Sequence, residues 1–211
     1  MKEIIPTVFT KDRKSFMNRF RKVLTASKKI QIDFADGKFV PTMLVDINCL
    51  PSFSRQRVEL EAHLMVKNPE KYIESLRRKG FKKVIFHIEP IENDDVEGII
   101  ERIRALGMIP AIALKPDTRI TKRILAIADS TKLVLLMGVY PGKEKQKLRK
   151  SVYGRIKTIK AHSKKIVVQI DGGVNLKTAK PLFKAGADIL HSGSYICESQ
   201  DPKRALKELL G

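Results

Sequence analysis

The chain has 211 residues, 43% of them hydrophobic, with no long polar tract, so it can bury a substantial core without disulfides or metals as staples. No apolar run approaches the roughly 20 residues needed to span a bilayer, and the opening MKEIIPTVFTKDRK lacks the basic, apolar and small-residue blocks of a secretory signal, so a soluble chain without a membrane partner is expected. Forty-two basic against 23 acidic residues give a net charge of +19, a field that attracts nucleic acid, anionic lipid or phosphorylated metabolites alike.

Short apolar segments at 4–9, 30–34, 58–66, 83–88, 109–114, 133–139, 166–170 and 188–191 make eight candidate strands. Between most of them the apolar residues recur at three and four, predicting helices over 69–79, 93–106, 119–129 and 146–162. In 93–106, Val96, Ile99, Ile100, Ile103 and Leu106 form one stripe while Glu97, Glu101, Arg102 and Arg104 face away, as a helix covering a parallel sheet requires. Asn93 can cap its amino end, and Gly80 and Gly107 stand where left-handed residues end helices. The stretch 37–56, with two prolines and mixed polarity, allows at most a short helix and suits a loop covering a site. Eight evenly spaced βα units favour a single (β/α)8 TIM barrel over residues 1–211, with an open doubly wound sheet as the runner-up; active-site groups belong at the strand ends.

Basic residues such as Arg77, Arg78 and Lys79, or Lys143, Lys145, Lys147, Arg149 and Lys150, are spread along the chain rather than gathered in one arm. A solvated lysine-rich surface therefore explains the charge better than a nucleic-acid face, for which no recognition motif is present. Cys49 and Cys197 form no metal-type cluster, and two isolated thiols suit a reducing cytoplasm.

Reading outward along the strands gives Thr7 after the first, Asp33 on the second, His63 on the third, Met137 on the sixth and Asp171 after the seventh; in a closed barrel these converge. Two carboxylates across a barrel mouth can act as base and acid on opposite faces of one carbon, a geometry suited to inverting a stereocentre. The enediolate on that path gains from a bound divalent metal, and Asp33, His63 and Asp171 are ligand types that zinc, manganese or iron accept. The plainer readings stand beside these: a strand histidine held by hydrogen bonds, a turn aspartate before two glycines, and methionines filling a core. His87, His162 and His191 read as structural or surface residues, and Tyr140 and Tyr195 as residues at the mouth.

The segments QIDFADGKFVP (31–41), EAHLMVKNP (61–69), LLMGVYPG (135–142) and DGGVNLKTAKPLFKAGADILHSGSYI (171–196) resemble, in order, the signature blocks of ribulose-phosphate 3-epimerases. The DGGV and GS blocks are shared more widely among phosphate-binding barrels, so the first two discriminate. The resemblance implies interconversion of D-ribulose 5-phosphate and D-xylulose 5-phosphate, or of a related ketose phosphate, in pentose phosphate metabolism. It implies Asp33 and Asp171 as acid/base pair, and a divalent metal (zinc, manganese, iron or magnesium) on positions 31, 33, 63 and 171. Thr7, His63, Met65 and Met137 then contact substrate, and Gly142, Gly172, Gly173, Gly193 and Ser194 hold phosphate through backbone amides. A homo-oligomer is also implied.

Departures from the family pattern are specific. Gln31 replaces a ligand histidine, and a glutamine carbonyl is a poorer ligand for zinc or iron, shifting preference toward magnesium or manganese. Without metal, the two carboxylates repel and one is expected to hold a proton. Ala35 replaces a methionine of the second-strand block. The family's NPGFGGQ reads Tyr140, Pro141, Gly142, Lys143, Glu144, Lys145, Gln146; two glycines are lost, and Glu144 repels phosphate if it points inward, with Lys143 or Lys145 as compensating charges. The alternative reading is therefore a phosphate-binding barrel with changed or lost catalysis, serving as a ligand- or nucleic-acid-binding protein.

Overall fold

The computed structural model describes residues 2–54, 56–92 and 95–211. Eight parallel strands, β1 (Glu3–Val8), β2 (Lys29–Ala35), β3 (Glu59–Met65), β4 (Lys83–His87), β5 (Ile109–Leu114), β6 (Leu133–Met137), β7 (Val167–Asp171) and β8 (Ile189–Ser192), close into a barrel in sequence order. All eight predicted strands are present, within a few residues at their ends. Thr7 and Asp171 lie inside β1 and β7 rather than beyond them.

Helices α1 (Arg13–Leu24), α2 (Ile73–Lys79), α3 (Asp95–Ala105), α4 (Lys122–Thr131), α5 (Ser151–His162) and α6 (Leu176–Ala185) cover the barrel, and α7 (Ser194–Cys197) and α8 (Pro202–Leu210) both follow β8. None of the described helices is long and apolar enough to cross a membrane. Capping residues mark the starts: Asp12 accepts from the Ser15 N–H at 2.9 Å, and Asn175 and Thr178 form a reciprocal capping box at α6. The predicted cap Asn93 lies outside the described residues. Residues 69–71 form a 3₁₀ turn ahead of α2. The helix predicted over 146–162 starts only at Ser151, because the Arg149 N–H bonds the Gly138 carbonyl at 2.8 Å and Gln146 Nε2 donates to the carbonyls of Tyr140 and Lys143, which holds 146–150 in the loop after β6.

The strand period sorts side chains between two cores. Ile30, Ile32 and Phe34 of β2, with their equivalents on other strands, face outward and pack against the helices. Inside the barrel, Ile85, Ala111, Ala113, Leu135, Met137 and Val139 make an apolar half. The opposite half is polar and buried, with Gln31, Glu61, His63, Lys83, Gln169 and His191. There Glu61 and Lys83, neighbours in register, form a buried ion pair, and His191 meets Gln169 at 3.1 Å.

Among the described residues, no α-helix connects β2 to β3. Pro41 and Pro51 interrupt that stretch, and only a 3₁₀ turn forms at Ile47–Cys49. Phe53 fills the space a helix would occupy: its ring lies 6.2 Å from Phe16, 5.0 Å from Phe20 and 6.4 Å from Phe81. The segment is pinned where the Phe53 N–H donates to the Lys79 carbonyl at 2.8 Å. Gly80 makes this approach feasible, since it ends α2 at φ 95° and a Cβ there would lie 2.8 Å from the Ser54 nitrogen. Gly80→Ala should therefore cost about 2 kcal/mol or more from strain and backbone clash, read as a lowered denaturation midpoint.

Candidate active site

The register β2–β3 sets Asp33 beside His63, β6–β7 sets Met137 beside Asp171, and β7–β8 sets Asp171 beside His191. All point to the carboxyl end of the barrel, where a cavity of about 420 Å³ opens. Thr7, Asp33, His63, Met65, Met137, Gly142, Asp171, Gly172, Gly173, Gly193 and Ser194 all line it. Gln31 is buried alongside the carboxylates without lining the cavity. Tyr140 and Tyr195 stand at the mouth as expected.

At the floor, Gln31 Nε2 donates to Asp33 Oδ1 at 3.0 Å and to Asp171 Oδ2 at 2.8 Å. His63 Nδ1 lies 3.0 Å from Asp33 Oδ1 and 3.3 Å from Asp171 Oδ2. One amide and one imidazole thus tie together two carboxylates from strands on different sides of the barrel. From His63 the chain of bonds continues, with Nε2 3.2 Å from His87 Nε2 and His87 Nδ1 2.9 Å from Glu89 Oε2. This path has consistent directions when His63 is an imidazolium and His87 is neutral: His63 donates at both ends and His87 donates to Glu89.

The electrostatics agree. Burial works against a charge on His63, but hydrogen bonds and charge from Asp171 and Asp33 outweigh it and raise its pKa to about 9. Burial, aided by the His63 charge, lowers His87 to about 4, and burial lowers His191 to about 3. Burial and the neighbouring Asp171 raise Asp33, against the bonds from His63 and Gln31. Asp171, although also buried, is held below its ordinary value by the bond and charge of His63, by His191 and by Gln31. The two carboxyls are thus pushed apart, with Asp33, raised to about 6, the one that takes up a proton first as pH falls.

Asp33, His63 and Asp171 each offer a ligand atom, all within 4.8 Å of one another, a set that could hold a divalent ion. The set fits such an ion on its donor chemistry. Gln31 turns its nitrogen toward the carboxylates and leaves Oε1 buried without a partner, so its carbonyl becomes a fourth ligand only after a half-turn of the amide. Asp36, which follows Asp33 by three positions, holds the loop, accepting from the N–H groups of Lys38, Phe39 and Lys67.

Around the cavity the glycines have backbone reasons. Gly172 (φ 92°) and Gly173 (φ 73°) are left-handed, and a Cβ would meet Val139 at 2.3 Å on the first and Leu148 at 2.9 Å on the second. Met65 packs with Ala35, Val40 and Leu44 under the β2–β3 loop, and Met137 belongs to the apolar half of the barrel; both also reach the cavity. Lys145, where the resemblance expects glycine, keeps the left-handed backbone at φ 60°. Sequence reasoning underrated two residues. His87 is buried in hydrogen-bond contact with His63, and His191 lines the cavity, so neither is a surface group. Glu89 went unnoticed; the His-x-Glu spacing at the end of β4, which puts both on one side, was the available signal. His162 is peripheral, paired with Asp129 at 2.6 Å.

With divalent ions chelated, stability should peak near pH 6.5 and fall on both sides. His63, raised from 6.5 to about 9, contributes fully below pH 6.5 and loses its contribution as pH rises through 9. His87 and His191, depressed from 6.5 to about 4 and 3, lose theirs as pH falls below 6.5. Thermal melts across pH check this, and His63→Gln should flatten the alkaline side.

The profile of the "Ribulose-phosphate 3 epimerase family" matches residues 3–197. A ribulose-phosphate 3-epimerase of Bacillus subtilis (strain 168) is 30% identical over 218 aligned positions, covering 100% of this chain and 99% of the relative. A cytoplasmic isoform from Oryza sativa subsp. japonica is 29% identical, covering 90% of this chain and 84% of its own length. Among solved structures, a tryptophan synthase alpha-subunit from Pyrococcus furiosus superposes with a TM-score of 0.73 at 17% identity, over 100% of this chain and 98% of that one, a likeness of fold alone. With a profile match over nearly its whole length and relatives at about 30% identity, this chain belongs to the ribulose-phosphate 3-epimerase family.

Proposed function

We propose that the protein epimerises a ketose 5-phosphate at C3, with D-ribulose 5-phosphate and D-xylulose 5-phosphate as the first pair to test. The observation that carries this reading is the convergence of two buried carboxyls on one cavity with their proton affinities pushed in opposite directions. Asp171, the carboxylate, takes the C3 proton; Asp33, the acid, delivers one to the opposite face; the reverse reaction exchanges their roles. Gln31 and His63 hold the pair in place and offset its charge while the proton moves. Met65 and Met137 give the reacting carbons an apolar surface that excludes water, and the Thr7 hydroxyl orients the sugar. Gly142, Gly172, Gly173, Gly193 and Ser194 line the end suited to phosphate, where bare backbone lets an anion approach. Asp33, His63 and Asp171, with the Gln31 carbonyl after its half-turn, would hold a divalent cation, which would offset negative charge developing on the substrate oxygens. The cytoplasm, named for the rice relative, is the proposed place of action.

Incubation with ribulose 5-phosphate in deuterated water should give both deuterium at C3 and xylulose 5-phosphate. Asp33→Asn and Asp171→Asn should each lower the rate of xylulose 5-phosphate formation by about 10²–10⁴-fold; either variant retaining full conversion would overturn the acid/base assignment. A second reading, a barrel of this type working on a different phosphorylated sugar, is favoured by Glu144 at the phosphate end, and a substrate screen separates the two. For the metal, Gln31→His restores an imidazole in place of the amide and should tighten manganese or zinc binding by about tenfold or more in calorimetry, with proton release as His63 gives up its proton.

A further inference from the structure

The loop after β6 carries the expected repulsive residue, and its side chain points toward the cavity. Glu144 lines the cavity and, in addition, lies against Gly193: a Cβ built on that glycine would sit 3.3 Å from Glu144 Oε1 and 2.7 Å from Thr7 Oγ1. The carboxylate is fixed there from outside. Arg19 Nη1 donates to both its oxygens, at 3.0 and 2.9 Å, and to the Phe9 carbonyl at 2.8 Å. Glu198 extends the network, 3.9 Å from Arg19 Nη2 and 2.9 Å from Lys145 Nζ. Lys145 holds its left-handed backbone in the same loop, so the segment is shaped by charge pairing where the family uses glycine flexibility.

An anion at Gly193 and Ser194 and the Glu144 carboxylate cannot share this corner, because like charges at contact distance repel most strongly where water is partly excluded. We propose that Glu144 is a built-in competitor for the anion end of the cavity and sets its phosphate affinity. A phosphate enters by displacing the Glu144 carboxylate and takes over its pairing with Arg19. The pair thereby discriminates among substrates by charge: a dianionic phosphate can outbid one carboxylate for the guanidinium, and a neutral or singly charged group competes poorly. The proposal rests on the reading of this end as the phosphate site.

Calorimetric titration of the purified protein with inorganic phosphate tests it. Glu144→Gln should bind phosphate about tenfold more tightly than the parent, and Glu144→Asp should stay near the parent because its charge remains. Glu144→Ala, which removes the same charge, serves as the second variant if the glutamine form folds poorly. Arg19→Ala in the Glu144→Gln background should give back most of the gain, since phosphate then loses its partner. Unchanged or weakened phosphate binding in both charge-removed variants, or no detectable binding by any form, overturns the proposal. Deuterium exchange at C3 of ribulose 5-phosphate in the parent reports separately on catalysis. Exchange without a change in phosphate affinity sinks the competitor alone, and tightened phosphate without exchange on any sugar phosphate sinks the epimerase reading alone.

Discussion

Two carboxylates buried within reach of one another are an unstable arrangement, and much of this barrel's polar interior answers to it. Gln31 satisfies both with one amide, and His63 both with one imidazole edge. Holding His63 charged demands an acceptor on its far side, which His87 supplies only while neutral, and His87 in turn needs Glu89. A polar chain therefore runs from the centre of the barrel to the β4–β5 edge, where Glu89 also accepts from the Lys115 N–H. Removing any one link leaves a buried donor or acceptor unpaired, which in an interior of low dielectric costs more than the bond itself contributes.

The same demand shapes the covering loops. Phe39, carried by the β2–β3 loop, packs in a tilted arrangement against His87 with ring centroids 4.9 Å apart, and Lys115 Nζ lies 3.9 Å from the centre of the Phe39 ring. The loop is thus fixed at two places, by Phe39 near the site and by Phe53 among the aromatic rings between α1 and α2. An α-helix at this point would cover the barrel wall equally well but would carry no segment over the mouth. The basic surface fits a negatively charged substrate through its long-range field, while the local balance at the mouth, with Glu144 and Glu198 against Arg19 and Lys145, is much nearer neutral.

Strand positions, the α2–α4 stripes and the glycines ending α2 and α3 were legible in the sequence because each depends on residues within one turn or one pleat of one another. Asp33, His63 and Asp171 were legible for a related reason: a barrel brings strand ends together whatever the loops do, so residues at strand ends must meet. Three things were decided only by the tertiary structure. The orientation of the Gln31 amide is set by Asp171, 140 positions away; the direction of Glu144 is set by Arg19, 125 positions away; and the role of His87 is set by the ring of His63 across a strand pair. A side chain with two chemically different ends, or on a loop without a period, has no local signal for where it points. Its direction follows from partners distant in the chain, and those are chosen when the barrel closes.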